Sequence, residues 1–270
     1  MFEFLIIFAL VIFALGLRTF HHPLLRKAGA VAMLVATYGA GYFFTGSHWG
    51  GAVAVAGWFL LPWIEIVGRV RKLRLPLERR LEKRSPPNRE RCPMLEDWTK
   101  EIEERGYEWV EDAGWQWGEL DQFIRIFYHG ERRTQACITH NEQGGIAFAF
   151  LSLTSRAKGG GTFTTWTNPF ANSLRTPPGI HVLRRPDATS IDGIAGDHED
   201  FLADHEVAEA LEPMDGEALR ERIQFEMRRQ VEHNLDAGFI RLAGDGTFRY
   251  SWRGCFHMWW QVVKDMVRFA

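Results

Sequence analysis

Hydrophobicity and charge are sorted along this chain, and that sorting limits its fold more than any motif does. Three apolar stretches, Phe4–Leu17, Ala28–Phe44 and Ala52–Val67, lie within the first 67 residues, and Glu65 is the one charged side chain among them. A soluble domain of this size has no room to bury three such stretches back to back, so they read as membrane spans. At 14, 17 and 16 residues, each is shorter than the about 20 that cross a hydrocarbon core. Phe2, Trp49 and Arg69 flank them and can extend their reach by aromatic anchoring and snorkelling. Thr45–Gly51 supplies a turn between the second and third. The expectation is three transmembrane helices over residues 1–68, or two if the first is removed by processing. Glu3 stands where a signal peptide carries basic residues, and no small-x-small site precedes Arg18, which argues against cleavage.

Orientation follows from the basic residues. The first loop holds Arg18, Arg26 and Lys27 with no acid, the second loop holds no lysine or arginine, and Arg69, Arg71, Lys72 and Arg74 follow the third span. Positive charge stays cytoplasmic, so the N-terminus is expected outside and the large domain inside, in a bacterial inner membrane. Ala28, Ala32, Ala36 and Ala40 recur every four residues, with Ala52 and Ala56 as a shorter ridge. Such small-residue ridges let helices approach closely, either within a hairpin or against another membrane subunit or a second copy.

Residues 1–91 hold 13 Lys and Arg against 5 Asp and Glu, a balance of +8; the remainder holds 19 against 29, a balance of −10. The basic segment Arg69–Arg84 places Val70, Leu73, Leu77 and Leu81 near helical period, so it is expected along the anionic inner leaflet, with Arg69, Arg71, Lys72 and Arg74 as lipid contacts. Ser85–Pro93 reads as a stiff proline-rich linker, making 69–93 a juxtamembrane segment ahead of a domain at 94–270.

That domain reads as α+β. Met94–Arg105 is expected to be helical, followed by strands at Asp121–Tyr128, Thr134–His140, Gly145–Thr154 and Gly161–Thr167 in an antiparallel meander, and a short strand at Ile180–Leu183. Helices are expected from Ser190 towards Glu212 and over Gly216–Asp236, then a hairpin of Phe239–Leu242 and Thr247–Trp252, and a last helix from Gly254 to Phe269.

Few residues carry a chemical signature. Asp197-His198-Glu199 and Asp204-His205-Glu206 repeat at a spacing of seven, which puts His198 and His205 on one helical face but about 10 Å apart along the axis, too far to share one metal. A metal there would need further ligands such as His181 or His233. A hydrolase built on segment 197–206 is the enzymatic alternative. Lys158-Gly159-Gly160-Gly161-Thr162 has its lysine ahead of the glycines and no helix behind it, so it is a hairpin tip rather than a phosphate loop. No Gly-x-Ser-x-Gly occurs. Cys92, Cys137 and Cys255 are odd in number and scattered, as free thiols would be. No cofactor is implied.

The helix Gly216–Asp236 with its Gly-Asp-Gly hairpin is similar to the second half of a winged-helix domain over about forty residues, with Arg220, Arg222, Arg228 and Arg229 on the helix. The resemblance implies nucleic-acid binding, whereas the domain's −10 balance repels a phosphate backbone, and no nucleic-acid partner is expected. In the last helix Phe256, Trp259, Trp260, Val263 and Val267 form one apolar stripe, flanked by Arg253, Lys264 and Arg268 against a single acid. It is expected to pack on the domain's own sheet, or else to lie on the membrane or a partner. The sum is a membrane-anchored cytoplasmic domain whose role is binding, as an accessory or regulatory subunit that contacts the bilayer and other membrane proteins.

Overall fold

The computed structural model describes residues 2–20, 22–170 and 172–268. Three helices come first: α1 (Phe2–Arg18), α2 (Pro23–Thr45) and α3 (His48–Gly68). Pro23 opens α2 where a missing N–H costs nothing, and Gly46 closes it in the left-handed conformation with its N–H donating to the Tyr42 carbonyl. Ser47 then caps α3 by accepting from the Trp49 N–H at 3.2 Å. The hairpin is tight because Gly41 faces Gly50 and Ala54, where a Cβ on Gly41 would collide with the Gly50 backbone. Trp58 Nε1 donates to Thr37 Oγ1 at 3.0 Å across the same interface.

Two apolar segments, Lys27–Thr45 and His48–Lys72, are long and apolar enough to cross a membrane, and only 11% of either is buried within the chain. The first stretch does not join them. Helix α1 folds back along α2, with Ile7 against Gly39, but its apolar part, Leu5–Leu17, rises only about 20 Å against a core of about 30 Å. Two helices, not three, have the length of a span.

Residues 69–84 differ from the amphipathic surface helix read from their spacing. Val70–Lys72 make one 3₁₀ turn, and two short strands follow, β1 (Leu75–Pro76) and β2 (Glu82–Lys83). Pro76 and the pull of two separate sheets prevent a helix. Val70, Leu75 and Leu77 instead pack in a cluster with Ile66 and Phe248, and Leu81 is buried in another.

The domain is a seven-stranded sheet of order β2-β3-β4-β5-β6-β7-β8, with β3 (Glu108–Trp117), β4 (Leu120–His129), β5 (Thr134–Gln143), β6 (Ile146–Arg156), β7 (Thr162–Trp166) and β8 (Ile180–Arg184). It runs antiparallel from β2 to β7, while β8 lies parallel to β7. The expected meander runs through β7, and the separate short strand β8 adds to its edge in parallel. Helices α4 (Leu95–Glu104) and α5 (Ile191–Asp204) cover one face over Phe123, Phe127, Ile138 and Leu151. The helix read towards Glu212 stops at Asp204.

Helix α6 (Leu219–Asp236) covers the other face over Ile124, Ile126 and Cys137. A buried network fixes it there: Arg156 donates to Glu226 at 2.8 and 2.9 Å and to Gln135 at 3.0 Å. Strand β3 admits close pairing because Gly114 lies where a Cβ would collide with the Gln122 carbonyl.

A second sheet, of order β1-β10-β9, joins the hairpin of β9 (Ile240–Gly244) and β10 (Thr247–Tyr250) to the chain just after α3. Helix α7 (Trp252–Arg268) follows directly. One cluster, Ile66, Leu174, Val231, Ile240, Phe248, Tyr250 and Cys255, ties α3, the small sheet, α6 and α7 together.

Candidate functional site at the hairpin junction

Helix α7 presents two faces at this junction. Met258, Trp259 and Val262 pack on the cluster around Ile66 and Phe248, and Val263 is buried. The other face carries Trp252, Phe256 and Trp260 at i, i+4 and i+8, each about half exposed. Trp63 of α3 sits among Trp252, Phe256 and Trp259, with ring centroids at 6.3, 6.5 and 6.0 Å.

The polar contact at the centre lies beside a proline. Pro62 inside α3 has no N–H for the Trp58 carbonyl, and a proline ring crowds the turn before it. Trp259 Nε1 donates to the next carbonyl, that of Phe59, at 2.6 Å. A tryptophan of the C-terminal helix thus donates to the backbone of an apolar helix some 200 residues earlier, beside its internal proline.

Beside this contact lies a cavity of about 950 Å³, enclosed by the start of α2, residues 172–176, β8 and α7. Lys27, Arg175, Arg184 and Lys264 bring positive charge to its lining, and Asp265 is the one carboxylate there among the described residues. Arg184 already holds Asp265 through bonds of 3.0 and 2.9 Å, and reaches the Pro169 carbonyl at 2.9 Å. Among the described residues the lining offers no second carboxylate to Lys27, Arg175 or Lys264, and the Arg175 guanidinium lies 5.8 Å over the Phe239 ring. The backbone of Arg175 is pinned by buried Asn234, which accepts its N–H at 2.9 Å and donates to its carbonyl at 2.7 Å. Burial lowers the His257 pKa, and Lys264 and Arg175 lower it further, so the imidazole beside them is neutral. Trp260 stands at the rim.

The residues singled out by sequence are dispersed. Of Arg69, Arg71, Lys72 and Arg74, Arg71 lies 3.9 Å over the Trp252 ring, Arg69 pairs with Glu65 at 2.8 Å, and Lys72 and Arg74 are exposed. Ala36 is buried, Ala32 and Ala40 are half-buried and Ala28 is exposed. Of the α7 stripe, Trp259 and Val263 face inward, whereas Phe256 and Trp260 face outward; the side chain of Val267 lies outside the described residues. Arg220, Arg222, Arg228 and Arg229 are all drawn into contacts within the domain, with Glu111, Glu226, Glu78 and the Pro178 carbonyl.

His198 and His205 part company. His198 is buried between Ser155 Oγ, 3.0 Å from Nε2, and Thr165 Oγ1, 2.9 Å from Nδ1. Burial lowers its pKa to about 4, so it is a neutral pin between β6, β7 and α5. Among the described residues no carboxylate is bonded to it, and Ser155 is fully buried, so the pair lacks the access a nucleophile needs. His205 is exposed, and its ring lies tilted against that of His181 at 5.1 Å between ring centroids. Among the described residues no group of three or more His, Cys, Asp or Glu is placed to hold an ion.

Arg175, Arg184 and His257 were not singled out in the sequence, and Lys27 was read there only for orientation, because the lining comes from three separated segments. One signal was present. Asp265 is the lone acid of a helix otherwise rich in aromatic and basic residues, the position where a buried partner arginine is to be sought. Compared with protein families, curated proteins and solved structures, the chain matches none.

Proposed function

We propose that this chain is a membrane-anchored binding subunit, an α+β domain held at the cytoplasmic face of a bacterial inner membrane by the α2–α3 hairpin and serving as an accessory or regulatory part of a larger membrane assembly. The observation that carries the reading is the Trp259–Phe59 contact with Trp63 boxed by three aromatic rings. A domain that is only tethered needs no hydrogen bond to its own anchor. A domain bonded to that anchor beside Pro62 moves with it, which is the property a subunit needs to sense a neighbour in the membrane.

The orientation rests on Arg26 and Lys27 at one end of the hairpin and Arg69, Arg71, Lys72 and Arg74 at the other, with no lysine or arginine in Thr45–Gly51. Both ends of a two-helix hairpin lie on one side, so the sequence-based placement of the N-terminus outside no longer follows from a third span. Exposed Val31 and Val35 on α2, and Val53, Leu60, Leu61 and Ile64 on α3, form the surface for lipid or for partner subunits.

Alkaline carbonate extraction and a pair of reporters fused after Ala270 test this reading. The expected result is a carbonate-resistant protein with an active cytoplasmic reporter and a silent periplasmic one. An active periplasmic reporter would overturn the orientation, and full release by carbonate would overturn the anchoring.

A further inference from the structure

The cavity beside α7 has a charge pattern that its structural role does not require. Four cations reach it from separate elements: Lys27 from α2, Arg175 from the loop before β8, Arg184 from β8 and Lys264 from α7. Convergence of like charges costs energy unless an anion is shared among them. Among the described residues the single acid of the lining is held by Arg184 in a two-bond pairing, which leaves Lys27, Arg175 and Lys264 in the lining without a carboxylate there, Arg175 lying 5.8 Å over the Phe239 ring. The depressed pKa of His257, caused after burial by Lys264 and Arg175, is what a positive field produces.

Shape and position narrow the anion further. About 950 Å³ holds far more than one small ion and fits a headgroup with its glycerol. Lys27 opens the apolar segment that runs to Thr45, and half-exposed Trp260 marks the rim, which is where lysine and tryptophan stand at a headgroup boundary. Compact cations arriving from several directions suit a phosphate, whose oxygens accept from all sides. Basic pockets beside the cytoplasmic ends of membrane helices are suited to anionic headgroups.

We propose that this cavity binds a phosphate group, presented by an anionic phospholipid of the leaflet in which the α2–α3 hairpin ends. The proposal rests on the membrane-anchored reading for the source of the phosphate, and not for the site itself.

The test uses the purified full chain in neutral detergent, with thermal unfolding followed as dioleoyl phosphatidylglycerol, dioleoyl phosphatidylcholine or inorganic phosphate is added. Phosphatidylglycerol is expected to raise Tm saturably, phosphatidylcholine to leave it unchanged, and salt to weaken the effect. Arg175→Gln with Lys264→Gln removes two exposed cations without touching the Arg184–Asp265 pair, and is expected to weaken the apparent affinity about 25-fold, from about fivefold per cation. Arg69→Gln with Arg74→Gln, outside the cavity, is expected to leave it unchanged. An equal response to both lipids, or an unaltered affinity in the cavity variant, overturns the site. A stabilisation by inorganic phosphate as strong as that by the lipid, lost in the cavity variant, upholds a phosphate site and overturns the lipid as its source. Release of the chain by carbonate with the phosphate response intact overturns the anchoring alone.

Discussion

Replacing Trp259 separates the two interactions that hold α7 on α3. Trp259→Phe keeps most of the ring area and removes the Nε1 donor, so the Phe59 carbonyl loses its partner. A neutral hydrogen bond contributes about 0.5–1.5 kcal/mol net, and interhelical bonds in lipid average nearer about 0.6 kcal/mol, so the cost is about 1 kcal/mol. Trp259→Ala also removes ring contacts to Phe256, Trp63 and Trp260, at 5.3, 6.0 and 6.3 Å. Because the side chain is only half-buried, the cost falls at the low end of the range for an aromatic truncation, about 3 kcal/mol. For a chain of this size that corresponds to a fall in Tm of about 6 to 12 °C.

The decisive measurement is a double-mutant cycle with Pro62→Ala, read by thermal unfolding of the full chain in mild detergent and by hydrogen exchange of the α7 amides. Pro62→Ala restores the donor to the Trp58 carbonyl. If Pro62 is what frees the Phe59 carbonyl, Trp259→Phe should cost almost nothing in the Pro62→Ala background, a coupling of about 1 kcal/mol. Additivity within about 0.5 kcal/mol would show that the indole does not depend on Pro62 and would refute the reasoning.

Two further outcomes follow from other parts of the fold. His198 is held at a pKa of about 4 against a usual 6.5, so the unfolded chain takes up a proton that the folded chain refuses as the pH falls through that interval. Stability is therefore complete above pH about 6.5 and falls by roughly 3 kcal/mol by pH about 4; His198→Gln should flatten that part of the urea-midpoint profile, and an unchanged profile would count against the buried neutral imidazole. A fragment of residues 94–270 lacks β1, β2, buried Leu81 and the Arg84–Asp121 pair. It should unfold at lower urea than a fragment of residues 69–270, Leu81 alone contributing about 2 kcal/mol, and equal midpoints would show that 69–93 is a dispensable linker.

Local signals made much of the architecture legible. Strands β4 to β7 follow alternation and Gly-rich turns, and their ends fall within three residues of the expected ones. Helices α4, α6 and α7 follow their apolar stripes and flanking glycines. Strand β3 was missed because Glu108, Glu111 and Asp112 break the alternation, and a register shift between Trp109 and Glu111 displaces it further. Asp112 has a role there visible only in three dimensions, as the partner of Arg125 at 2.9 and 2.8 Å. The segment after α3 was misread for the converse reason: Leu77 and Leu81 are near helical period, but they serve two different cores. The basic cavity was illegible because its cations are contributed by positions as far apart as Lys27 and Lys264. Spacing along the chain carries no trace of such a meeting.

The junction brings the beginning and the end of the folded domain to one place, and that arrangement sets its energetics. Strand β1 follows α3 and pairs with β10, which leads directly into α7, so folding of the small sheet already delivers Trp252 to Trp63. Docking of α7 then closes no further loop and has to offset only the ordering of its own side chains. A few kcal/mol from Trp259 and its neighbours is enough to hold it, and an energy of that size is also within reach of a bound ligand. A phosphate held between Lys27 on α2 and Lys264 on α7 would bind the docked arrangement better than one in which α7 has moved away, because undocking separates the two ammonium groups. By reciprocity, weakening the Trp259–Phe59 contact should weaken the phosphate site, even though neither residue touches it. Trp259→Phe is therefore expected to lower the apparent affinity for phosphatidylglycerol by up to about fivefold, the most that about 1 kcal/mol of lost docking can transmit, and an affinity equal to that of the unaltered chain would show that the helix is fixed with or without its indole.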